Sequence, residues 1–279
     1  MTLRDRHGGN IYAAARELGL SPHRLLDFSA SINPLGPSKR ALRLAAGALP
    51  LIRHYPDPDC HGLATALASR WSLAPAHFVI GNGSSELIHL LPRALAIQHA
   101  LILGPTFSEY ERAVSIAGGR VARVQTSRRD QYRPPVGRAL EVLRRKSSGF
   151  DALFLCNPNS PTGQVAPSQD VLNLVAVAAR RNVWVVVDET FIEYCEAHSA
   201  LTAVARQPRL LVVRSFTKFY ALPGLRIGYL AASLDMAGRI RELQPPWTVN
   251  VLAQMTAQAA LEDRRHVLRS LAFMQRERA

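Results

Sequence analysis

Val183-Trp184-Val185-Val186-Val187-Asp188-Glu189 is an almost wholly β-branched run that stops on two carboxylates. β-branched side chains prefer extended backbone, and a stretch apolar at every position has no face to offer water. It therefore reads as a strand covered on both sides. Similar runs lie around it at Ala100–Leu103, Ala152–Cys156, Leu210–Val213 and Ile227–Ala231, with Arg120–Val124 as a further strand. Helix patterns separate them. Ser84–Ala96 carries Leu87, Leu90, Leu91 and Leu95 at helical spacing, Phe107–Ala117 ends at Gly118-Gly119, and Glu141–Arg145 is a short helical stretch. Ser168–Arg181 is a longer helix, with Ser168 expected as its cap. This alternation predicts an α/β fold of three layers, with helices over both faces of a mostly parallel sheet. Ligands of such sheets bind beyond the carboxyl ends of the strands. That directs attention to Asn157–Gly163, Asp188-Glu189, Ser215–Lys218 and the helix start at Gly83-Ser84-Ser85.

The whole chain has 279 residues, 48% hydrophobic and 20% charged, which suits a large globular core and excludes a disordered or fibrous chain. Its net charge of +13 is spread in ones and twos, and the tightest cluster, Arg144-Arg145-Lys146, is short. A diffuse charge is not the localised stripe that tracks phosphates, so no nucleic-acid partner is expected. Three widely spaced cysteines, Cys60, Cys156 and Cys195, form no C-x-x-C pair, which argues against a disulfide framework or a metal site. No apolar run approaches the roughly 18 residues of a membrane span, and the start, MTLRDRHGGN, has no apolar stretch of the signal-peptide kind. A cytoplasmic protein with no membrane partner is the expectation.

Only three of the basic residues are lysines, Lys39, Lys146 and Lys218. Lys39 follows a Pro-Ser turn and Lys146 sits in a basic, Ser-rich loop; Lys218 lies five residues after a buried strand run, at the mouth of the sheet. An ammonium there is either a solvated loop lysine or a Schiff-base nucleophile. Asp188 ends its strand as a carboxylate that needs a cation or donor, either a structural arginine or a protonated ring nitrogen. Ser84 and Ser85 can cap a helix or present hydroxyl and N–H groups to a phosphate, which Arg226 could also clamp.

Taken in order, His7-Gly8-Gly9-Asn10, Asp27–Gly36, Tyr55-Pro56-Asp57-Pro58, Asn159–Gly163, Asp188-Glu189 and Ser215–Lys218 resemble the motifs of fold-type I pyridoxal-phosphate enzymes of the histidinol-phosphate aminotransferase group. The first two segments are similar, more narrowly, to those of the threonine-phosphate decarboxylases of cobalamin biosynthesis. The resemblance runs from about residue 5 to the C-terminus. It implies a large cofactor-binding domain over residues 46–245 and a small α+β domain built from residues 1–45 and 246–279. It also implies that the small domain is incomplete, because such relatives continue past the equivalent of Ala279 and place a carboxylate-gripping arginine there.

Carried over position by position, the resemblance implies pyridoxal 5'-phosphate as cofactor. Lys218 would bond to it covalently and Asp188 would pair with its pyridine nitrogen. Phe107 would stack on the ring, and Ser84, Ser85, Ser215, Thr217 and Arg226 would hold the phosphate, with Tyr55 reaching over from the second subunit of a homodimer. His7, Gly8, Gly9 and Asn33 would approach a small phosphorylated amino-acid substrate. Two positions depart from the wider group. Ser160 stands where Asn usually precedes Pro-Thr-Gly, so either Asn159 or Ser160 could contact the phenolic oxygen of the cofactor; Phe191 replaces a common Tyr. The implied reaction is decarboxylation of L-threonine O-3-phosphate to (R)-1-aminopropan-2-yl phosphate. Transamination of the histidinol-phosphate type is the alternative, and an inactive remnant a third reading. In a remnant, apolar surface around Leu252, Met255 and Leu261 would lie exposed.

Overall fold

The computed structural model describes residues 8–145 and 149–278. Seven strands form one sheet: β1 (Phe78–Gly81), β2 (His99–Gly104), β3 (Arg120–Gln125), β4 (Ala152–Cys156), β5 (Trp184–Asp188), β6 (Leu210–Ser215) and β7 (Gly228–Ala231). Their order is β1-β7-β6-β5-β4-β2-β3. The five strands from β6 to β3 run parallel, while β7 is antiparallel to both β6 and β1. The three-layer expectation holds. The strand at β1 was not anticipated, because four residues directly after a Pro-Ala-His turn are too few to show a pattern. β3 is half exposed along its length because it is an edge strand with one neighbour.

Ten helices are described: α1 (Ile11–Leu18), α2 (Lys39–Ala48), α3 (His61–Trp71), α4 (Ser84–Ala94), α5 (Glu109–Ile116), α6 (Val136–Arg144), α7 (Ser168–Ala179), α8 (Leu234–Leu243), α9 (Val251–Glu262) and α10 (Arg264–Arg278). Strand alternation divides the core. Val186, Leu211 and Val213 pack with Leu87, Tyr110 and Ile240 of α4, α5 and α8; Val185, Val187 and Val212 pack with Leu67, Leu143 and Leu174 of α3, α6 and α7. Each such side chain, fully buried, contributes about 1.5–3 kcal/mol. Three helix boundaries correct the sequence reading. α6 starts at Val136 rather than Glu141, and α5 starts two residues after Phe107. Ser168 is the first helical residue of α7 and caps nothing; Pro167 holds the cap position, its fixed φ suiting a helix entry.

The segment before residue 45 is more ordered than its composition suggests. Asn10 caps α1 by accepting from Ala13 N at 3.0 Å, and Gly19 closes it at φ +63°. Ser38 caps α2, which packs along α9, so the two ends of the chain meet. Asn33 ties the joint. Its amide donates to Phe219 O and to Ser270 Oγ of α10, both at 2.9 Å, and its backbone N–H donates to Lys218 O at 3.0 Å. Around α9, Leu261 is buried and Leu252 and Met255 are half-buried, so the apolar exposure expected of a remnant is not found at these three positions. No helix among the described residues is long and apolar enough to cross a membrane. The three cysteines are free thiols.

Glu193, on the turn after β5, is buried with Oε2 unpartnered. Burial pushes its carboxyl up to about 7, against the pull of the nearby Arg214 cation. The folded state therefore keeps a proton that the unfolded chain releases at lower pH, and stability falls as pH rises through that window. Urea unfolding at pH 5 and pH 8 should show the native protein losing about 2 kcal/mol more across the interval than Glu193→Gln does.

Candidate active site

The carboxyl ends of β5 and β6 open beside the N-terminus of α4. Gly83 occupies the cap position at φ +82° and supplies no side-chain acceptor, so the first-turn N–H groups are left for a ligand. Two glycines let the surrounding groups close in. A Cβ on Gly83 would lie 2.6 Å from Nη2 of Arg226, and one on Gly228 would lie 2.6 Å from the backbone nitrogen of Ser84. Gly228 is also the register partner of Ser215, which brings the end of β6 to the same helix start. Ser215 Oγ and Thr217 Oγ1 are 2.8 Å apart, and Thr217 N donates to Ser215 Oγ. Ser84, Ser85, Ser215, Thr217 and Arg226 thus form a cradle of hydroxyl, N–H and guanidinium donors suited to one phosphate. The five residues inferred for that role come together.

Asp188 closes β5, only 3% exposed. Its Oδ2 accepts from Tyr110 OH at 2.7 Å and its Oδ1 from Thr190 N at 2.9 Å. Burial raises its carboxyl above the ordinary range, while these hydrogen bonds and the charge of Lys218 pull it back down. Tyr110 was not foreseen. It is fully buried on α5, stacked 5.5 Å from Phe154 and edge-on to Phe107 at 5.7 Å. The available signal was its position three residues after Phe107, on the first turn of a helix that starts at a strand mouth.

Lys218 is half-buried, its Nζ 5.9 Å from the ring centre of Phe191. Desolvation and the positive charge of Arg226 lower its pKa, and Asp188 opposes them. The amine is thereby freed more readily as a nucleophile. Lys218 and Asp188 feel each other's charge, yet among the described residues no ion pair joins them. Both stand at the ends of neighbouring strands, on the side of the cradle.

Asn159, 8% exposed, donates to Pro105 O and Thr162 Oγ1, both at 2.9 Å, so it sits against the Pro105–Phe107 loop; Ser160 beside it is half-buried. Gly8 and Gly9 lie on Ser29, where Gly9 N donates to Ser29 Oγ at 2.7 Å, and Gly9 has φ +87°. The two N-terminal motifs therefore meet, and Asn33 carries them to Lys218. His7 lies outside the described residues. Tyr55 is 81% exposed and rests on Trp247, ring centres 4.7 Å apart, another residue the sequence reading did not single out.

Comparison with known proteins places this geometry. The model of the family "Aminotransferase class I and II" matches residues 23–279. Threonine-phosphate decarboxylase of Salmonella typhimurium is 39% identical over 260 residues, covering 92% of this chain and 70% of that protein. Among solved structures, histidinol-phosphate aminotransferase from Clostridium acetobutylicum superposes with a TM-score of 0.82 at 28% identity, covering 91% of this chain and 75% of its own. L-threonine-O-3-phosphate decarboxylase from Porphyromonas gingivalis gives 0.77 at 27%, covering 89% and 76%. The chain belongs to the aminotransferase class I and II family of pyridoxal-phosphate-dependent enzymes. The residues present fit that cofactor. An uncapped helix start with Ser84 and Ser85, together with Ser215, Thr217 and Arg226, suits a phosphate, a buried carboxylate suits a cationic ring nitrogen, and a lysine of lowered pKa suits an aldehyde.

Tyr110→Phe leaves a buried carboxylate oxygen without its donor, which costs about 1–3 kcal/mol when the carboxylate is charged. The raised pKa of Asp188 means that this penalty shrinks as pH falls and the group takes up a proton. Unfolding measurements on apo protein should therefore show a larger deficit for Tyr110→Phe at pH 8 than at pH 5.

Proposed function

We propose that this chain decarboxylates L-threonine O-3-phosphate to (R)-1-aminopropan-2-yl phosphate and carbon dioxide, a step of cobalamin formation. The observation that carries the reading is the convergence of Lys218, Asp188 and the five-residue phosphate cradle at the ends of adjacent strands. The similarity to a threonine-phosphate decarboxylase supports the choice of substrate. When bound, pyridoxal phosphate supplies an electron sink for charge left on the substrate α-carbon. Asp188 would keep the ring nitrogen protonated, with Tyr110 and Thr190 holding Asp188 in orientation. Lys218 would provide the free amine that holds the cofactor, and its lowered pKa would suit its Nζ to carry a proton to or from the α-carbon. Phe107 would cover the ring, and Asn159 or Ser160 would meet its phenolic oxygen.

Which bond breaks depends on which one is held perpendicular to the ring, a matter of positioning. Here the positioning groups are in the Gly8–Asn33 segment, anchored to Lys218 through Asn33. The structural likeness to a histidinol-phosphate aminotransferase keeps transamination as a second reading. The reading includes a cytoplasmic homodimer in which Tyr55 serves the partner's site. The exposed Leu49, Ile52 and Tyr55 beside Trp247 form an apolar surface suited to that contact. It also includes the division into a large domain at 46–245 and a small one from both ends.

Incubation with pyridoxal phosphate and L-threonine O-3-phosphate should release carbon dioxide. A 2-oxoglutarate-dependent keto product from histidinol phosphate, without carbon dioxide release, would favour the second reading instead. Borohydride should fix the cofactor to Lys218, and Lys218→Ala should abolish that adduct. Asp188→Asn should retain the adduct while turnover drops about a hundredfold or more; near-normal turnover would remove Asp188 from its role.

A further inference from the structure

Asp188 and Ser215 serve the cradle side of the sheet, but their chain neighbours do not. Side chains alternate along a strand. Val186 of β5 and Leu211 and Val213 of β6 face α4, α5 and α8, and Asp188 and Ser215 continue those rows. Val185, Val187, Leu210 and Val212 face the opposite layer, and Glu189 and Arg214 continue those. On that reverse side the two meet. Arg214 Nε donates to Glu189 Oε2 at 2.9 Å and Nη2 lies 2.8 Å from the same oxygen. Glu189 is 0% exposed and Arg214 1%.

The pair is held from all sides. Ser199 Oγ donates to Glu189 Oε2 and accepts from Arg214 Nη2, both at 2.7 Å, and Ala200 N donates to Glu189 Oε1 at 2.6 Å. The Trp71 ring lies 4.2 Å from the guanidinium carbon, and Glu196 Oε1 lies 3.7 Å from Nη1. Stability does not explain this arrangement, because apolar residues of similar volume fill a core as well as a desolvated ion pair. Two guanidinium nitrogens on one carboxylate oxygen, with Ser199 and Ala200 fixing that carboxylate, do set distance and angle together. The location makes that useful. The backbone ladder between β5 and β6 ends with Glu189 N donating to Val213 O at 2.8 Å, and among the described residues no later backbone hydrogen bond joins the two segments. Ser215, Thr217 and Lys218 all lie beyond that bond.

We infer that Glu189 and Arg214 are positioning residues: their buried ion pair is the last rung between β5 and β6 and sets the spacing of Asp188 from Ser215, Thr217 and Lys218. The consequence for the cofactor rests on the reading of the cradle side given above; the rung itself does not. The full chain is compared with Glu189→Met/Arg214→Met, with Arg214→Lys, which keeps the charge but loses the fork, and with Glu189→Gln. Amide hydrogen exchange on cofactor-free protein reads the rung, and titration with pyridoxal phosphate reads its effect. In every variant that folds, protection at residues 188–190 and 214–218 should fall about tenfold or more while distant strands keep theirs. The dissociation constant for pyridoxal phosphate should rise about tenfold or more. Unchanged exchange and unchanged affinity in any folded variant would overturn the inference, as would a uniform loss of protection across the sheet. Should the double variant fail to fold, Arg214→Lys and Glu189→Gln decide by the same readings. A native protein that takes up no pyridoxal phosphate would sink the cofactor reading, while the exchange data would still judge the rung.

Discussion

The parallel pairing of β5 with β6 is the constraint from which the site follows. Register sets Asp188 beside Val213, and the two-residue repeat of an extended chain then sends Asp188 and Ser215 to one side and Glu189 and Arg214 to the other. On one side the strand ends offer a carboxylate and hydroxyls to a ligand; on the reverse they grip each other. A slip of one residue would exchange the two sets and bury the chemistry under α3 and α7. The valines at 185, 186, 187, 212 and 213 are buried on either face alike, so such a slip is costly through the polar residues, which would lose Tyr110 on one side and the Glu189–Arg214 pairing on the other.

Charge is placed inside this frame with care for its surroundings. Asp188 would be expensive in the core without Tyr110 and Thr190, and Arg214 without Glu189. Lys218 is treated differently. It has an aromatic ring and a second cation nearby and, among the described residues, no carboxylate in ion-pair contact, so burial and Arg226 outweigh Asp188 and disfavour the ammonium form. The cluster of Ser84, Ser85, Ser215, Thr217 and Arg226 has the opposite character, because hydroxyls, a guanidinium and an uncapped helix end all favour a negative charge.

The N-terminal segment shows how distant pieces of chain become part of one site. Asn33 spans the Lys218–Phe219 backbone and Ser270 of α10, reaching residues 186 and 237 positions away. Through Ser29, Gly9 is bound into the same strap. Motion of α10 or of the N-terminal strap would therefore reach the backbone of Lys218 directly.

Much was legible without coordinates. The all-apolar runs revealed the parallel strands because a strand covered on both faces can carry nothing else, and the residues just past Val187 and Val213 pointed to the candidate site because such sheets bind ligands at their carboxyl ends. The ordered set of motifs supplied the cofactor. β1 and the start of α6 were not legible, being too short or too polar to outweigh the neighbouring turns. Neither were Tyr110, Trp247 or the Glu189–Arg214 pair, because nothing local says that a tyrosine on one helix will reach a carboxylate 78 residues later. Local pattern determined which segments extend, which coil and where polar groups interrupt them. Only the folded sheet, through strand order and register, decided which of those groups share a face, because pairing between distant segments depends on the burial of whole surfaces rather than on any one residue's preference.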